Sequence, residues 1–282
     1  MNPVKSEPAI RRILVALDST PSSMEAMRAA AELAASLGAE LMGLFVEDID
    51  LLRLAQLPFA CQVGSFSATL YPLDKNHVER QLRAQAGRAR QALAVVAERA
   101  QIRWSFRVAR GRVITEVVAA ATEVDLLILG KAGWATPGSR HLGATARAVL
   151  HQAPCLAMVL YQGACMGLPM IVVDDGSSRG EKALATAVQL VRERNNPLVV
   201  LVLADQAVVA AERQQQVVQW LREYRISAQV RSLVTRSGAR LALALQEIGK
   251  GLLLLPAENP LVQEKEFQEF LEGTFCPVLV VR

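Results

Sequence analysis

Short apolar runs and longer amphipathic stretches take turns along the first part of the chain. Arg12–Leu17 (RILVAL), Glu40–Val46, Leu126–Leu129 and Cys155–Leu160 read as buried strands, and Ile102–Val108 alternates as a strand does. Between them lie helical stretches. Met24–Leu37 is alanine-rich and stops at Gly38, and Lys75–Gln101 sets Val78, Leu82, Ala89, Leu93 and Val96 on one face. Val113–Thr122 follows, then Ala144–Gln152, which Pro154 ends. Strands alternating with helices predict right-handed crossovers and a parallel sheet covered on both faces. The stretch Glu47–Asp74 has no clear period and reads as long and irregular. Its apolar residues, among them Leu51, Leu54, Leu57 and Phe59, leave it three roles: a lid, a partner surface or extra packing, with packing the leading one.

The pattern then starts again. Pro169–Ser178 (PMIVVDDGSS) lies against Arg12–Pro21 (RILVALDSTP), so that Asp175 falls 157 residues after Asp18. Helices are predicted at Lys182–Arg194, Glu212–Tyr224, Leu241–Ile248 and Val262–Leu271, with strands at Leu198–Leu203, Ser227–Val234, Leu252–Leu255 and Val278–Val281. Two domains are expected, 1–162 and 168–282, joined by a glycine-marked linker near Tyr161–Leu168. The fold class is α/β: two doubly wound, five-stranded parallel sheets. Each repeat ends in an apolar strand that would otherwise be an exposed edge, so the two last strands should pair in an intramolecular pseudo-dimer. A homodimer of whole chains remains open.

Composition narrows the function. The chain has 282 residues, 52% of them hydrophobic, ample for two cores. Met1–Arg12 is polar and no apolar run approaches membrane length, so neither a secretion signal nor a membrane partner is expected. Four scattered cysteines without a C-x-x-C read as reduced thiols, which suits a cytoplasmic protein without a metal site. Residues 1–163 carry 18 Lys+Arg against 14 Asp+Glu, and residues 164–282 carry 13 against 13, so the excess of positive charge belongs to the first half. Aromatics are not interleaved with basic residues, which disfavours nucleic acid, and Arg80, Arg83, Arg88 and Arg90 read as a solvated helix face.

The candidate chemistry sits at Leu126–Leu150 (LLILGKAGWATPGSRHLGATARAVL). A strand, a glycine-rich loop and a helix start gather backbone N–H groups on one point, as an anion requires. The spacing is G-x2-G-x9-G, at Gly130, Gly133 and Gly143, with Lys131 and Arg140 adding positive charge. It is neither the G-x4-G-K-[ST] phosphate loop nor the dinucleotide G-x-G-x-x-G. Glycines that merely turn the chain are the plain alternative. The second repeat has Pro256 where Gly130 stands and an acidic run from Glu258 to Glu272, so its anion site is lost.

The opening ILVALDSTPSSMEAM, the strand LMGLFVED and the run DLLILGKAGWATPGSRHLGATARAVLHQAPCLAMVL resemble the universal stress protein family, here in tandem. The resemblance implies an adenine nucleotide alpha hydrolase-like fold and an adenine nucleotide (ATP, ADP or AMP, with or without Mg²⁺) as ligand. It implies that Ala16 and Val46 line the adenine pocket, that Asp18 accepts hydrogen bonds from the adenosine part, and that Gly130, Gly133 and Gly143 hold phosphates. Ala144 departs from the family pattern, standing where serine or threonine is usual, with Thr145 one position later. The plain alternatives are a helix N-cap for Asp18, where the functional role leads, and a core valine for Val46, where on sequence alone the core role leads. Three functions follow: a nucleotide-binding stress or signalling protein with one site per chain, a ligand-free scaffold for an unidentified protein partner, or a slow ATP hydrolase. Against the last, no residue is placed to activate water and no second carboxylate stands beside the loop for Mg²⁺.

Overall fold

A computed structural model of the chain describes residues 10–18, 20–63, 70–131, 143–160, 169–194, 196–257, 259–260, 265, 269–270 and 276–282. The first half runs β1 (Arg12–Leu17), α1 (Pro21–Leu37), β2 (Glu40–Asp48), α2 (Ile49–Leu54), β3 (Cys61–Val63), β4 (Leu70–Pro72), α3 (Lys75–Arg99), β5 (Trp104–Gly111), α4 (Val113–Ala120), β6 (Leu126–Gly130), α5 (Ala144–Gln152) and β7 (Leu156–Leu160). The second runs β8 (Met170–Asp174), α6 (Ser178–Arg194), β9 (Leu198–Ala204), α7 (Ala207–Glu223), β10 (Ala228–Val234), α8 (Gly238–Ile248), β11 (Leu252–Pro256) and β12 (Val278–Val281).

Local chemistry sets the helix ends. Thr20 caps α1, its hydroxyl oxygen accepting the Ser23 N–H at 3.2 Å ahead of Pro21 in the first turn, and Gly38 closes the helix at φ 63°. Asp74 caps α3 through the His77 N–H at 2.9 Å. α3 and α7 end alike, with a non-glycine residue at positive φ: Gln101 at 52° and Arg225 at 57°. In each case the next residue, Ile102 or Ile226, donates back to the helix, to the carbonyls of Ala97 and Leu221.

One ten-stranded sheet runs through the molecule in the order β10-β9-β8-β11-β12-β7-β6-β1-β2-β5. Every neighbouring pair is parallel except β12 with β7, where Val278, Leu279 and Val280 face Val159, Met158 and Ala157 antiparallel. Each half therefore repeats one order about its own first strand, and the last strands meet as the apolar pattern predicts. The central strands are buried on both faces, β8 and β11 along their whole length, as parallel strands under two helical layers must be. A single core lies under α1, α3, α6 and α7 and crosses the β7–β12 junction through Met158, Leu160, Leu279 and Val281. The opposite face has two cores, one with residues of α4 and α5, the other with residues of α8. No helix among the described residues is long and apolar enough to cross a membrane.

Two expectations need correction. The segment 47–74 is not simply irregular: it holds the short helix α2 and a small antiparallel hairpin of β3 and β4, with Leu52 and Ala55 packed into the core under α3. The helix expected from Glu212 begins earlier, at Ala207. The linker near 161–168 and most of the helix expected at 262–271 lie outside the described residues.

Candidate functional site

β1 lies between β2 and β6, with Val15 opposite both Gly43 and Ile128. The chain leaves β1 through α1 to one side and returns as β6 on the other. The carboxyl ends of β1 and β6 are therefore the topological switch point, where a doubly wound sheet usually has its ligand crevice.

Asp18 follows β1 directly. One of its carboxylate oxygens accepts the Thr20 N–H at 3.0 Å and the Thr20 hydroxyl at 2.6 Å, while its own N–H points at Ser23 Oγ, 3.4 Å away. The N-cap role expected as its alternative belongs to Thr20 instead. Asp18 is half-buried at the crevice mouth, its carboxylate fixed by the cap.

Gly130 ends β6 against the first turn of α1. A Cβ there would lie 2.8 Å from the Ser22 carbonyl carbon and 2.9 Å from the Ser23 nitrogen. Glycine at this position thus has a packing reason independent of any phosphate. Lys131 is buried; its N–H donates to the Leu160 carbonyl at 2.6 Å, and its carbonyl accepts the Gly143 N–H at 2.8 Å. These two bonds close the base of the glycine loop and bring α5 to the sheet edge. α5 begins at Gly143 with no side-chain cap and no acid in its first turn, so its N-terminal field is not offset by a local carboxylate. Ala144 is exposed there and Thr145 half-buried. Gly133 and Arg140 lie outside the described residues.

Ala16 and Val46 are half-buried and pack on the core shared with α4 and α5. The sheet register sets Val46 opposite Ala109 of β5, and Val113 opens α4 above the same core. Ala16, Val46, Ala109 and Val113 thus pack on one core. Ala109 and Val113 were not anticipated; the alternation of β5, counted in register with β2, is the signal that identifies Ala109. Among the described residues no group of three or more His, Cys, Asp or Glu gathers as a metal site.

The second half keeps the scaffold and changes the side chains at the carboxyl ends of its strands. β11 pairs with β8 in the register by which β6 pairs with β1, and the Ala257 N–H donates to Val281 as Lys131 does to Leu160. Asp175 then corresponds to Asp18, and it is occupied: Asn259, itself buried, donates to it at 2.6 Å. Val173, Leu203 and Leu233 stand where Ala16, Val46 and Ala109 stand, and Val173 and Leu203 are buried. Asp174, fully buried, corresponds to Leu17. Arg213 of α7 grips it at 2.8 and 3.0 Å and reaches Glu181 at 3.2 Å. Burial pulls the Arg213 guanidinium down, but its hydrogen bond and charge pairing with Asp174 more than offset this, so its pKa is raised.

The fold defines a doubly wound α/β protein whose two halves repeat one strand order and differ in the side chains at the carboxyl ends of their strands. A sequence model of the universal stress protein family matches residues 9–160, and the chain belongs to that family. No curated protein matches it significantly. Among solved structures, a universal stress protein from Archaeoglobus fulgidus DSM 4304 superposes with TM-score 0.74 at 15% identity, over 95% of this chain and 97% of that one. A functionally unknown protein from Pseudomonas aeruginosa PAO1 gives TM-score 0.57 at 14% identity, over 96% and 92%. At such identities these likenesses concern the fold, which they share over nearly the full length.

Proposed function

We propose that this universal stress protein binds one adenine nucleotide per chain, in the first of two units spanning 1–162 and 168–282, and serves a cytoplasmic stress or signalling role. The observation that carries the reading is the contrast between the halves. The first keeps small apolar walls, a fixed carboxylate and an uncapped helix start. The second fills the first two of these places, with Val173 and Leu203 at the walls and the Asn259–Asp175 bond at the carboxylate. In this reading Ala16, Val46, Ala109 and Val113 hold the adenine, Asp18 accepts from the ribose, and Gly130, Lys131, Gly143 and the first N–H groups of α5 face the phosphates. Gly133, Arg140 and Thr145 complete the phosphate loop. ATP, ADP and AMP all suit this description, with Mg²⁺ bound through the nucleotide. No hydrolysis is proposed.

A ligand-free scaffold is the second reading, and two observations favour it. Ala144 lacks the hydroxyl expected beside phosphate, and Gly130 is already accounted for by its contact with α1. Denaturing the purified protein and analysing the released small molecules by chromatography distinguishes the two. Recovery of ATP, ADP or AMP near one equivalent supports the nucleotide reading. If none is recovered and none binds on addition, the scaffold reading stands.

A further inference from the structure

A groove of about 400 Å³ runs along the outer helical layer of the first half, between α1 and α3. It lies on the opposite face of the sheet from the walls of the nucleotide crevice. Its floor is apolar: Met27 is buried, and Ala92 and Val96 pack partly into the core beneath. Val95 is 42% exposed in its mouth. Its rim is basic, with Arg28 on α1 and Arg88 and Arg99 on α3.

Two features define what would fit. The first is charge. α3 carries six Lys+Arg against two Glu, an excess equal to the whole net charge of the chain, +4. Arg28 is held by Glu25 at 2.7 Å, but among the described residues Arg88 and Arg99 enter no ion pair. The second is spacing. Arg88, Ala92, Val95 and Arg99 follow each other at intervals of 4, 3 and 4 residues, the spacing along which one helix seats another in a coiled coil. Eleven residues at ~1.5 Å each set the two arginines roughly 16 Å apart on a single stripe, with the apolar floor between them.

We propose that this groove is a docking site for an amphipathic helix of a partner protein, apolar along its seam and acidic at both ends of it. The partner's apolar residues lie over Ala92 and Val95, and its carboxylates, three turns apart, pair with Arg88 and Arg99. The arginine face of α3 is then a specificity element that rejects basic helices, because two like charges would meet at each end.

The test uses the full chain and a labelled, helix-forming peptide of roughly 18 residues, long enough to be helical when bound, with leucines along one seam and glutamates flanking it. Its twin has lysines in place of the glutamates. Fluorescence anisotropy is expected to show the acidic peptide binding and the basic one not. Arg88→Glu/Arg99→Glu is expected to lower affinity for the acidic peptide by at least about tenfold and to confer binding of the basic one. Val95→Ser should weaken the acidic peptide too, since a purely electrostatic contact would ignore it. If the charge-reversed chain melts early, Arg88→Gln/Arg99→Gln should shift the affinity in the same direction. The proposal is overturned if both peptides bind alike, if the arginine variants leave affinity unchanged, or if phosphatidylglycerol vesicles or oligo(dT) bind through Arg88 and Arg99 while the acidic peptide does not.

Discussion

Arg213→Ala would leave the most buried carboxylate described here without its main partner. Asp174 is 0% exposed, and the guanidinium of Arg213 supplies two of its hydrogen bonds, at 2.8 and 3.0 Å; the Gly176 N–H, at 3.2 Å, would remain. Breaking a buried pair by removing one partner costs about 3–5 kcal/mol, because the other charge stays desolvated. At ~4 °C per kcal/mol for a unit of about 115 residues (168–282), the melting transition that reports the second half should fall by roughly 12–20 °C. The first half shows how the loss can be undone. Leu17, 4% exposed, sits in the corresponding place and packs into the core. Asp174→Leu/Arg213→Leu should therefore recover most of what Arg213→Ala loses, with Glu181, whose side chain is 31% exposed, turning to water. Circular dichroism melts and urea titrations of the wild type, the single and the double variant measure this directly. A loss below about 1 kcal/mol for Arg213→Ala, or a double variant no better than the single, would refute the argument.

Gly130→Ala sets a methyl group 2.8–2.9 Å from the α1 backbone; overpacking of this kind should cost about 1–3 kcal/mol, read by urea denaturation, and weaken nucleotide binding as the β6 end moves. Ala144→Ser adds a hydroxyl at the exposed start of α5. One new bond to a charged oxygen is worth ~1.5–3 kcal/mol, so a fluorescent ATP analogue should bind roughly tenfold to a hundredfold tighter. Burial pushes the Cys155 thiol up to about 11, and Cys61 is exposed. At pH 8 Cys155 is protonated and unreactive, so Ellman's reagent should modify Cys61 fast and Cys155 slowly, the slow rate rising as pH climbs toward 11.

Much of this architecture is legible from residue pattern because its strands are parallel and central. Ile13–Leu17 and Leu126–Leu129 are apolar throughout, and Gly38 and Pro154 stop the helices that follow them. The pairing of β7 with β12 is legible for the same reason, since an apolar last strand must be covered. Segment 47–74 was not legible: a six-residue helix and two three-residue strands are too short for a period to declare itself. In the candidate site, the glycines announce themselves by spacing and Asp18 through the family resemblance, whereas Ala109 and Val113 look like any core residues until the register with Val46 is known. The bond of Asn259 to Asp175 spans 84 residues, and Arg213 reaches Asp174 across 39, so no local pattern betrays either. The cap is a subtler case. Asp18 and Thr20 are both good N-cap types two residues apart, and only the geometry assigns the cap to Thr20 and leaves Asp18 at the crevice mouth.

Isothermal titration of the nucleotide-free chain with ATP, alongside Asp18→Ala and Asp175→Ala, is the most direct measurement of the central claim. The account predicts one site per chain, abolished or strongly weakened by Asp18→Ala and unchanged by Asp175→Ala, whose carboxylate is already taken by Asn259. Two sites per chain, or a single site that survives Asp18→Ala and is lost with Asp175→Ala, would contradict it.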